Sequence, residues 1–328
     1  MCTAIAYQTK DFYFGRTLDN DFSYQEEVTV TPRNFPLRFR AAKEIANHYA
    51  MIGMAFVPDD DPLYYDAVNE KGLCMAGLNF VGNAYYEKEK AGENNIAQFE
   101  LLSYILATCS TADQGIERLK GLRLTDTPYR DDLPPAQLHW FLADKHRAVT
   151  VEFVKEGLRL YENRAGVLAN NPPFPEQINH LSDYSHLSPR DPKNTFSKQL
   201  GFTPYSRGMG AMGLPGDLSS KSRFVRAAFM KLNAVSGSSE EESVNQFFHI
   251  LGTVEQPRGA CIVGEKDYEI SVYTSCCNAE KGIYYYKTYE NHAISAVDMY
   301  AEDLDGRQLA RYPIIRKEQI AILNGARG

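Results

Sequence analysis

The sequence lacks an excess of basic residues. Its 328 residues contain 35 Lys and Arg against 42 Asp and Glu, which leaves a net charge of -7 at pH 7. A surface with this balance repels the phosphate backbone of nucleic acids, because nucleic-acid-binding domains gather Lys and Arg into patches. We therefore expect no nucleic acid among the partners of this protein.

Long apolar runs are also missing. The longest mostly apolar stretches, such as residues 51–57, are far shorter than the roughly 20 residues that a membrane-spanning helix needs. The N-terminus has no charged segment followed by a long apolar core and a small-residue cleavage site, so we expect no secretory signal peptide. Together these absences predict a cytoplasmic protein without a membrane span.

Cysteine is sparse and shows no metal-binding spacing. The six cysteines are Cys2, Cys74, Cys109, Cys261, Cys276 and Cys277. They are too few for a disulfide framework in a chain of this length, and no Asn-x-Ser/Thr sequon indicates a secreted surface. Neither C-x-x-C nor H-E-x-x-H occurs, and adjacent cysteines cannot close a tetrahedral zinc site. We expect reduced thiols and no metal.

Two common enzyme signatures are absent or incomplete. Residues 208–213 match G-x-G-x-x-G, but Leu214, Pro215 and Gly216 follow where a helix should begin. No acidic residue stands about 20 positions on, as a dinucleotide site requires. The nucleophile elbow G-x-S-x-G of serine hydrolases does not occur. We interpret residues 208–213 as a flexible glycine loop.

The apolar residues divide the chain into alternating blocks of strands and helices. The first block predicts strands at residues 3–7, 12–15, 28–31, 51–57, 64–68 and 73–78, then helices at 97–107 and 110–122. Strands are predicted again at 138–143, 148–154, 158–161 and 166–169, helices at 222–235 and 240–251, and strands at 268–275 and 282–288. Residues 172–220 show no period, and we interpret them as a long excursion. These blocks predict a single α+β domain over residues 1–328.

Cys2 stands directly behind the initiator methionine. Removal of Met1 is favoured by the small residue that follows it, and it gives Cys2 a free α-amine beside its own thiol. That amine, with an ordinary pKa of about 8, accepts the thiol proton near neutral pH, and the thiolate is a nucleophile. From position alone, the simpler interpretation is that Cys2 is a small apolar residue at the start of an edge strand.

Five groups of neighbouring residues change that balance. They are MCT at residues 1–3, YFGRTLD at 13–19, NEKGL at 69–73 with AGLNF at 76–80, VLANNP at 167–172, and LPGD at 214–217 with SRFVR at 222–226. In this order the set resembles the choloylglycine hydrolase family, whose best-known members are bile salt hydrolases and penicillin V acylases. The resemblance covers essentially the whole chain.

The resemblance implies a fold and a type of reaction. The fold is that of an N-terminal nucleophile hydrolase, an αββα sandwich in which two antiparallel sheets lie between helix layers. The reaction is hydrolysis of a linear amide through a thioester, without a cofactor. Family members are commonly tetramers, so the resemblance also implies a homo-oligomer, with residues 172–220 as a candidate exchange surface.

The resemblance assigns the nucleophile and its neighbours. Cys2 is the nucleophile, and its freed amine is the base. Arg16, one strand along, lies by the thiolate and stabilises it with a fixed positive charge. Asp19 accepts hydrogen bonds from the α-amine and orients it. Taken singly, the simpler interpretation of Arg16 is a surface arginine in a strand, and an Asp that follows a strand is more often a turn former.

The same family pattern assigns the groups that stabilise the developing oxyanion. Asn79 and Asn170 direct N–H groups at the carbonyl oxygen, where losing one donor typically lowers the rate about a hundredfold or more. Arg223 is the remaining arginine of the site. Two alternatives stay open, since Arg226 competes with Arg223, and Asn171 with Asn170.

The predicted substrate-binding residues combine the reacting centre with aromatic side chains of the early loops: Cys2, Arg16, Asn79, Phe22, Phe56 and Tyr65. A large apolar sterol needs an aromatic pocket mouth, which the 21 Tyr and 17 Phe of the chain could supply. Asn20 stands where many bile salt hydrolases carry an aromatic residue. Asn79 stands where penicillin V acylases tend to carry one, which favours bile salts as substrates.

Our hypothesis from the sequence is a cysteine amidase that cleaves glycine- or taurine-conjugated bile salts into free bile acid and amino acid. The alternative is the same mechanism on penicillin V or another N-acyl amide, such as an acyl-homoserine lactone. A non-enzymatic protein that binds amphiphiles, with an inert Cys2, belongs to a different class. Retention of Met1 distinguishes the classes, because only the enzyme needs a free amine on Cys2.

Overall fold

Two antiparallel sheets pack face to face, and helices cover both outer faces. The structure is a computed structural model, and it describes residues 1–324. The strands are β1 (Cys2–Gln8), β2 (Phe12–Asn20), β3 (Glu27–Thr31), β4 (Met51–Phe56), β5 (Leu63–Asn69), β6 (Cys74–Asn79), β7 (Asn95–Ala97), β8 (Arg123–Thr125), β9 (Leu138–Ala143), β10 (Ala148–Val154), β11 (Gly157–Glu162), β12 (Val167–Leu168), β13 (Ile262–Val263), β14 (Asp267–Tyr268), β15 (Ile270–Asn278), β16 (Ile283–Thr288), β17 (Asn291–Asp298) and β18 (Ala310–Pro313). The α-helices are α1 (Leu101–Thr108), α2 (Ala112–Lys120), α3 (Phe174–His180), α4 (Ser220–Asn233) and α5 (Glu240–Gly252).

The two large sheets differ in width. One has six strands in the order β12-β1-β2-β15-β16-β17, and the other has eight in the order β11-β10-β9-β6-β5-β4-β3-β18. Their central strands are buried on both faces, which is why β1, β6 and β9 read as nearly continuous apolar runs rather than alternating ones. The β1–β2 hairpin pairs Cys2 with Leu18 and Ala4 with Arg16.

Each helix pair covers one sheet. Residues of α1 such as Leu102 and Ile105 belong to the cluster that contains Met75 and Leu142 of the eight-stranded sheet. On the other side, α4 and α5 pack against β1, β2 and β15 of the six-stranded sheet. The helices thus form the outer layers, and the predicted α+β αββα sandwich is confirmed.

Several elements lie where the sequence pattern predicts no such element, including the short strands β7, β8 and β13. Helix α3 falls inside the excursion at residues 172–220, β17 borders the six-stranded sheet, and β18 borders the eight-stranded sheet. Edge strands bury little apolar surface, and β17 alternates exposed with partly buried residues. Such strands carry a weak apolar signal, because packing against one neighbouring strand stabilises them more than their own hydrophobicity does.

Residues 208–213, which match G-x-G-x-x-G, form a loop. Gly208 has a φ of 82°, and Met209–Ala211 make one turn of 3-10 helix rather than the start of a long helix. A dinucleotide fingerprint requires a strand before the glycines and a helix after them.

Among residues 1–324, no helix is long and apolar enough to cross a membrane.

Candidate active site

Cys2 lies at the start of β1, inside the six-stranded sheet. It is 2% exposed, and β1 is flanked by β12 and β2, so the strand is not at the edge. The backbone nitrogen of Cys2 donates to Oδ1 of Asn170 at 2.8 Å. Its Sγ accepts a hydrogen bond from Nη2 of Arg16. Both the thiol and the nitrogen that would become the α-amine are therefore held by side chains.

Arg16 is a buried cation that faces the thiol. It is 1% exposed, and its Nη1 donates to the carbonyl oxygens of Tyr65, at 3.1 Å, and of Gly77. Burial opposes the charge, but the neighbouring acidic groups, Cys2 first among them, outweigh burial and raise the pKa of Arg16 above its ordinary value. A permanent positive charge beside Sγ favours the thiolate.

Asp19 lies on the opposite face of the same sheet. Side chains alternate along β2, so Arg16 faces the space between the sheets while Thr17 and Asp19 face α4. The Asp19 carboxylate accepts hydrogen bonds from Ser271 Oγ at 2.6 Å and Gln256 Nε2 at 3.3 Å. With Met1 in place, the backbone of Asp19, rather than its carboxylate, contacts the N-terminal residue, accepting from the Met1 amine at 2.5 Å.

Asn170 and Arg223 converge on the backbone of Cys2. Oδ1 of Asn170 accepts from Cys2 N and also from Arg223 Nη2 at 2.7 Å. Nη1 of Arg223 donates to the Cys2 carbonyl oxygen at 2.5 Å and lies 3.8 Å from Oδ2 of Asp19. This chain of contacts determines where the nitrogen of Cys2 sits.

The structure distinguishes the two pairs that the sequence left open. Arg226 donates to backbone oxygens of Thr253 and Pro215, both outside this cluster. Asn171 donates to the Val81 carbonyl oxygen at 2.7 Å. Only Arg223 and Asn170 of the two pairs contact Cys2.

Asn79 ends β6 and lines the same cavity as Cys2. Its backbone oxygen accepts from Nδ2 of Asn170 at 2.9 Å, while its own side chain is exposed at the cavity next to Cys2. The side-chain amide of Asn79 is therefore available to a substrate oxygen. The amide of Asn170 is already engaged on both sides, so its predicted oxyanion role stays a prediction.

A cavity of about 480 Å³ opens above Cys2. Its walls carry Cys2, Arg16, Asn79 and the three aromatic residues that the sequence analysis singled out, Phe22, Phe56 and Tyr65. Tyr24 links two of them, since its ring lies 4.7 Å from that of Phe22 and 5.5 Å from that of Phe56. Burial raises the pKa of Tyr65 well above its ordinary value, so the phenol stays neutral. The cavity is thus mostly apolar and aromatic, with charge at one end.

Several contributors were missed by the sequence analysis. Ser271 and Gln256 hold Asp19 from more than 230 residues away, and Glu269 pairs with the Met1 amine. The far wall of the cavity is formed by Phe99, Tyr129 and residues 132–136. No local pattern marks the first group, whereas the Pro134-Pro135 pair at the wall could have indicated a shaped loop.

The described part of the chain contains no cluster of side chains suited to bind a metal ion. No group of three or more His, Cys, Asp or Glu side chains in residues 1–324 is arranged to hold an ion. The chemistry that the arrangement offers is nucleophilic attack by a thiolate at the charged end of an apolar cavity.

Comparisons with known proteins agree with this geometry. Residues 2–312 match the family described as linear amide C–N hydrolases, choloylglycine hydrolase family. The chain is 49% identical over 324 residues to a bile salt hydrolase/transferase of Lactiplantibacillus plantarum, covering 99% of this chain and 100% of that one. A crystal structure of the C2A mutant conjugated bile acid hydrolase of Clostridium perfringens superposes with a TM-score of 0.92 at 36% identity, covering 99% and 100% of the two chains.

A more distant structure shares the fold alone. Penicillin V acylase of Agrobacterium tumefaciens gives a TM-score of 0.75 at 18% identity, covering 94% of this chain and 90% of that one. The resemblance drawn from the five sequence motifs is confirmed by these matches. The chain belongs to the choloylglycine hydrolase family of linear amide C–N hydrolases.

Proposed function

We propose that this enzyme hydrolyses the amide bond of glycine- or taurine-conjugated bile salts. The observation that carries the proposal is a buried Cys2 thiol, in contact with Arg16, at the end of an apolar cavity of about 480 Å³. That volume falls within the range of about 300 to 1,000 Å³ that small-molecule sites occupy. Two relatives that align with 99% and 95% of this chain bear the name bile salt hydrolase/transferase.

The nucleophile forms after Met1 is removed. The nitrogen of Cys2 becomes an α-amine that takes the proton of the thiol, and the thiolate stays beside Arg16. The sulfur electron pair attacks the amide carbon and pushes the carbonyl electrons onto oxygen. The α-ammonium gives its proton to the amide nitrogen as this oxyanion collapses, so that the C–N bond breaks and the amino acid leaves as a neutral amine. Water activated by the same amine then hydrolyses the thioester.

Three side chains orient the amine. Asn170 Oδ1 already accepts from Cys2 N at 2.8 Å, and Arg223 holds that oxygen and the Cys2 carbonyl. Asp19 lies 3.8 Å from Arg223 and supplies the balancing negative charge on this face of the sheet. This role for Asp19, which acts through Arg223, adds to its proposed contact with the free amine.

The oxyanion and the acyl group take the remaining parts of the site. The exposed amide of Asn79 is the proposed donor to the oxyanion, with Asn170 as the second. The rings of Phe22, Phe56 and Tyr65 take the apolar steroid nucleus. Apolar burial contributes about 25 cal/mol per Å², so these rings supply binding rather than chemistry.

The test combines processing with activity. Intact mass of the purified protein is expected to show loss of Met1, and ninhydrin is expected to detect glycine or taurine released from conjugated bile salts. Cys2→Ala should abolish release. Cys109→Ala, which changes a free cysteine at the end of α1 that does not line the cavity, is the matched control and should keep activity.

Other outcomes would redirect or reject the proposal. Loss of Met1 without release of either amino acid contradicts the bile salt substrate, and penicillin V is then the next amide to test. Full activity with Met1 retained contradicts the amine mechanism. Binding of bile salts without any cleavage favours the non-enzymatic alternative.

The proposal extends to the state of the protein in the cell. We propose a cytoplasmic homo-oligomer, a tetramer by family resemblance, that associates through the excursion at residues 172–220. Phe196 and Tyr205 in this segment are 82% and 84% exposed, which is unusual for large apolar side chains. Replacing both with Ser should lower the mass measured by light scattering, whereas Val235→Ser, on another surface, should not.

A further inference from the structure

Asp66 is a buried carboxylate that the mechanism above does not use. It lies on β5, is 1% exposed, and points into the layer between the sheets. Three hydroxyls of the opposite sheet donate to it, from Tyr273 at 2.7 Å, Tyr284 at 2.7 Å and Ser275 at 3.0 Å. Burial raises the pKa of Asp66 above its ordinary value, whereas Arg16 and the three hydroxyl donors act in the opposite direction and favour the ionised form.

The same hydroxyl network reaches Arg16. Ser275 Oγ accepts from the backbone nitrogen of Arg16 at 3.1 Å while it donates to Asp66. Tyr65, the residue before Asp66, accepts from Arg16 Nη1 at 3.1 Å. Arg16 therefore lies between the Cys2 thiol on one side and the Asp66 network on the other.

Charge is balanced separately on the two faces of the six-stranded sheet. Arg223 pairs with Asp19 on the face toward α4, and both are fully buried. Arg16 and Asp66 lie on the face toward the second sheet, and both are 1% exposed. A buried charge without a counterion is strongly destabilising, so each buried arginine needs an anion.

We propose that Asp66 is a positioning residue that balances the charge of Arg16 when Cys2 is acylated. This inference rests on the proposed thioester mechanism. In the free enzyme Arg16 faces two anions, the thiolate in direct contact with its guanidinium and the Asp66 carboxylate in the network behind it. Once the sulfur electron pair has formed the C–S bond and the amine has left, the thioester sulfur is neutral. Asp66 then remains as the anion for Arg16, so the acylated state is not penalised by an uncompensated buried charge.

The other ionisable groups around this network stay neutral. Burial raises the pKa of the Tyr65, Tyr273 and Tyr284 phenols and of the Cys74 and Cys277 thiols well above their ordinary values. The charged group that faces Arg16 and Asp66 is thus the Cys2 thiolate, whereas Asp19 acts on Arg16 from the opposite face of the six-stranded sheet. Asp19 is already paired with Arg223.

The test measures the thiolate directly. Protein that has lost Met1 is alkylated with iodoacetamide across a pH series, and modification of Cys2 is followed by peptide mass. Asp66→Asn keeps the shape of the side chain and removes the charge. Removing an anion near Arg16 favours the thiolate, so the alkylation midpoint should fall by about one pH unit. The thioester becomes correspondingly harder to form, so kcat/KM should fall about tenfold.

A control and a second variant keep the test decisive. Tyr286 lies on β16 with Tyr284, but its buried phenol accepts a hydrogen bond from the Ile315 backbone nitrogen and does not contact Asp66. Tyr286→Phe should therefore leave the alkylation midpoint unchanged. If Asp66→Asn does not fold, the double variant Tyr273→Phe/Tyr284→Phe removes two donors and raises the pKa of Asp66. It should move the midpoint in the same direction by a smaller amount.

The possible failures are distinguishable. The role of Asp66 is overturned if Cys2 of the parent protein is alkylated but the alkylation midpoint is the same in Asp66→Asn. The same midpoint in the folded double variant has the same meaning. A purely structural role would lower kcat without the shift in midpoint. If Cys2 of the processed parent protein is not alkylated at all, the proposed nucleophile is wrong, and the inference about Asp66 is overturned with it.

Discussion

The charged end of the site and the wall of the cavity are built in different ways. At the charged end, Cys2, Arg16 and Asn170 lie on or beside central strands and are joined by direct hydrogen bonds. The wall consists of loops, and rings such as Phe22 are half exposed and held by ring contacts. Geometry is therefore tightly determined at the reacting atoms, whereas the wall can change with small losses.

The largest loss of activity is expected when Arg223, at the charged end, is replaced. Arg223→Met removes the donors to the Cys2 carbonyl oxygen and Asn170 Oδ1, which frees the nitrogen that acts as base. We expect kcat to fall about a hundredfold or more, as small misplacements of reacting groups do. Steady-state kinetics measure it. Arg226→Met, one helical turn away, should keep kcat within a few-fold; equal losses in both variants would contradict the assignment.

Asn79→Ala tests the donor that faces the substrate. Its side chain is exposed, so removal should leave the melting temperature nearly unchanged. We expect kcat to fall about a hundredfold with little change in KM, because a donor to the oxyanion acts mainly in the transition state. Asn83→Ala, which lies outside the cavity wall, is the control. A rise in KM with unchanged kcat would show that Asn79 binds the ground state and the transition state equally and would contradict its role at the oxyanion.

Phe56→Ala probes the wall. The loss of roughly 100 Å² of apolar contact weakens binding by about 2.5 kcal/mol, so KM should rise by roughly 60-fold while kcat changes little. Kinetics on a conjugated bile salt measure both constants. Leu232→Ala, an exposed apolar residue outside the cavity, should change neither. A large loss of kcat in Phe56→Ala would mean that wall and charged end are not independent.

The smallest effect concerns the pH dependence of the wall. Burial raises the pKa of Glu100, which follows the cavity residues Gln98 and Phe99, from 4.5 to about 7. Since the folded pKa is the higher one, the stability contributed by Glu100 is present below pH 4.5 and lost as pH rises through about 7. If the whole pKa shift is expressed, the free energy of unfolding falls by about 3 kcal/mol across this pH range.

Thermal unfolding of Glu100→Gln measures this loss. The variant cannot ionise, so the melting temperature of the parent protein relative to it should fall by a few degrees between about pH 5 and about pH 8. Glu117→Gln on α2 is the control and should show no such trend. A constant difference across the series would contradict the raised pKa.

Sequence patterns predicted the central elements better than the edges. The strands around Cys2 and the helices α4 and α5 carry strong apolar periods because they are buried, and they lie where the pattern placed them. β17 and β18 lie at sheet edges, and their residues expose enough polar surface to resemble loops. Helix α3 is short and begins behind two prolines, so its period is hard to detect.

The site shows the same division. Motifs on single segments pointed to Cys2, Arg16, Asn79, Asn170 and Arg223, and the structure brings these residues together. Ser271, Gln256 and Asp66 carry no local signal. They matter only through atoms that are far away in the chain.

The sequence by itself determined the family, the α+β layers and the identity of the residue that follows Met1, because these depend on local motifs and on the period of apolar residues. Only the tertiary structure decided which asparagine and which arginine contact Cys2, and which carboxylate lies 3.8 Å from Arg223. The reason is physical. A hydrogen bond or a buried charge is satisfied by whichever group the fold brings near, and that group can lie more than 200 residues away.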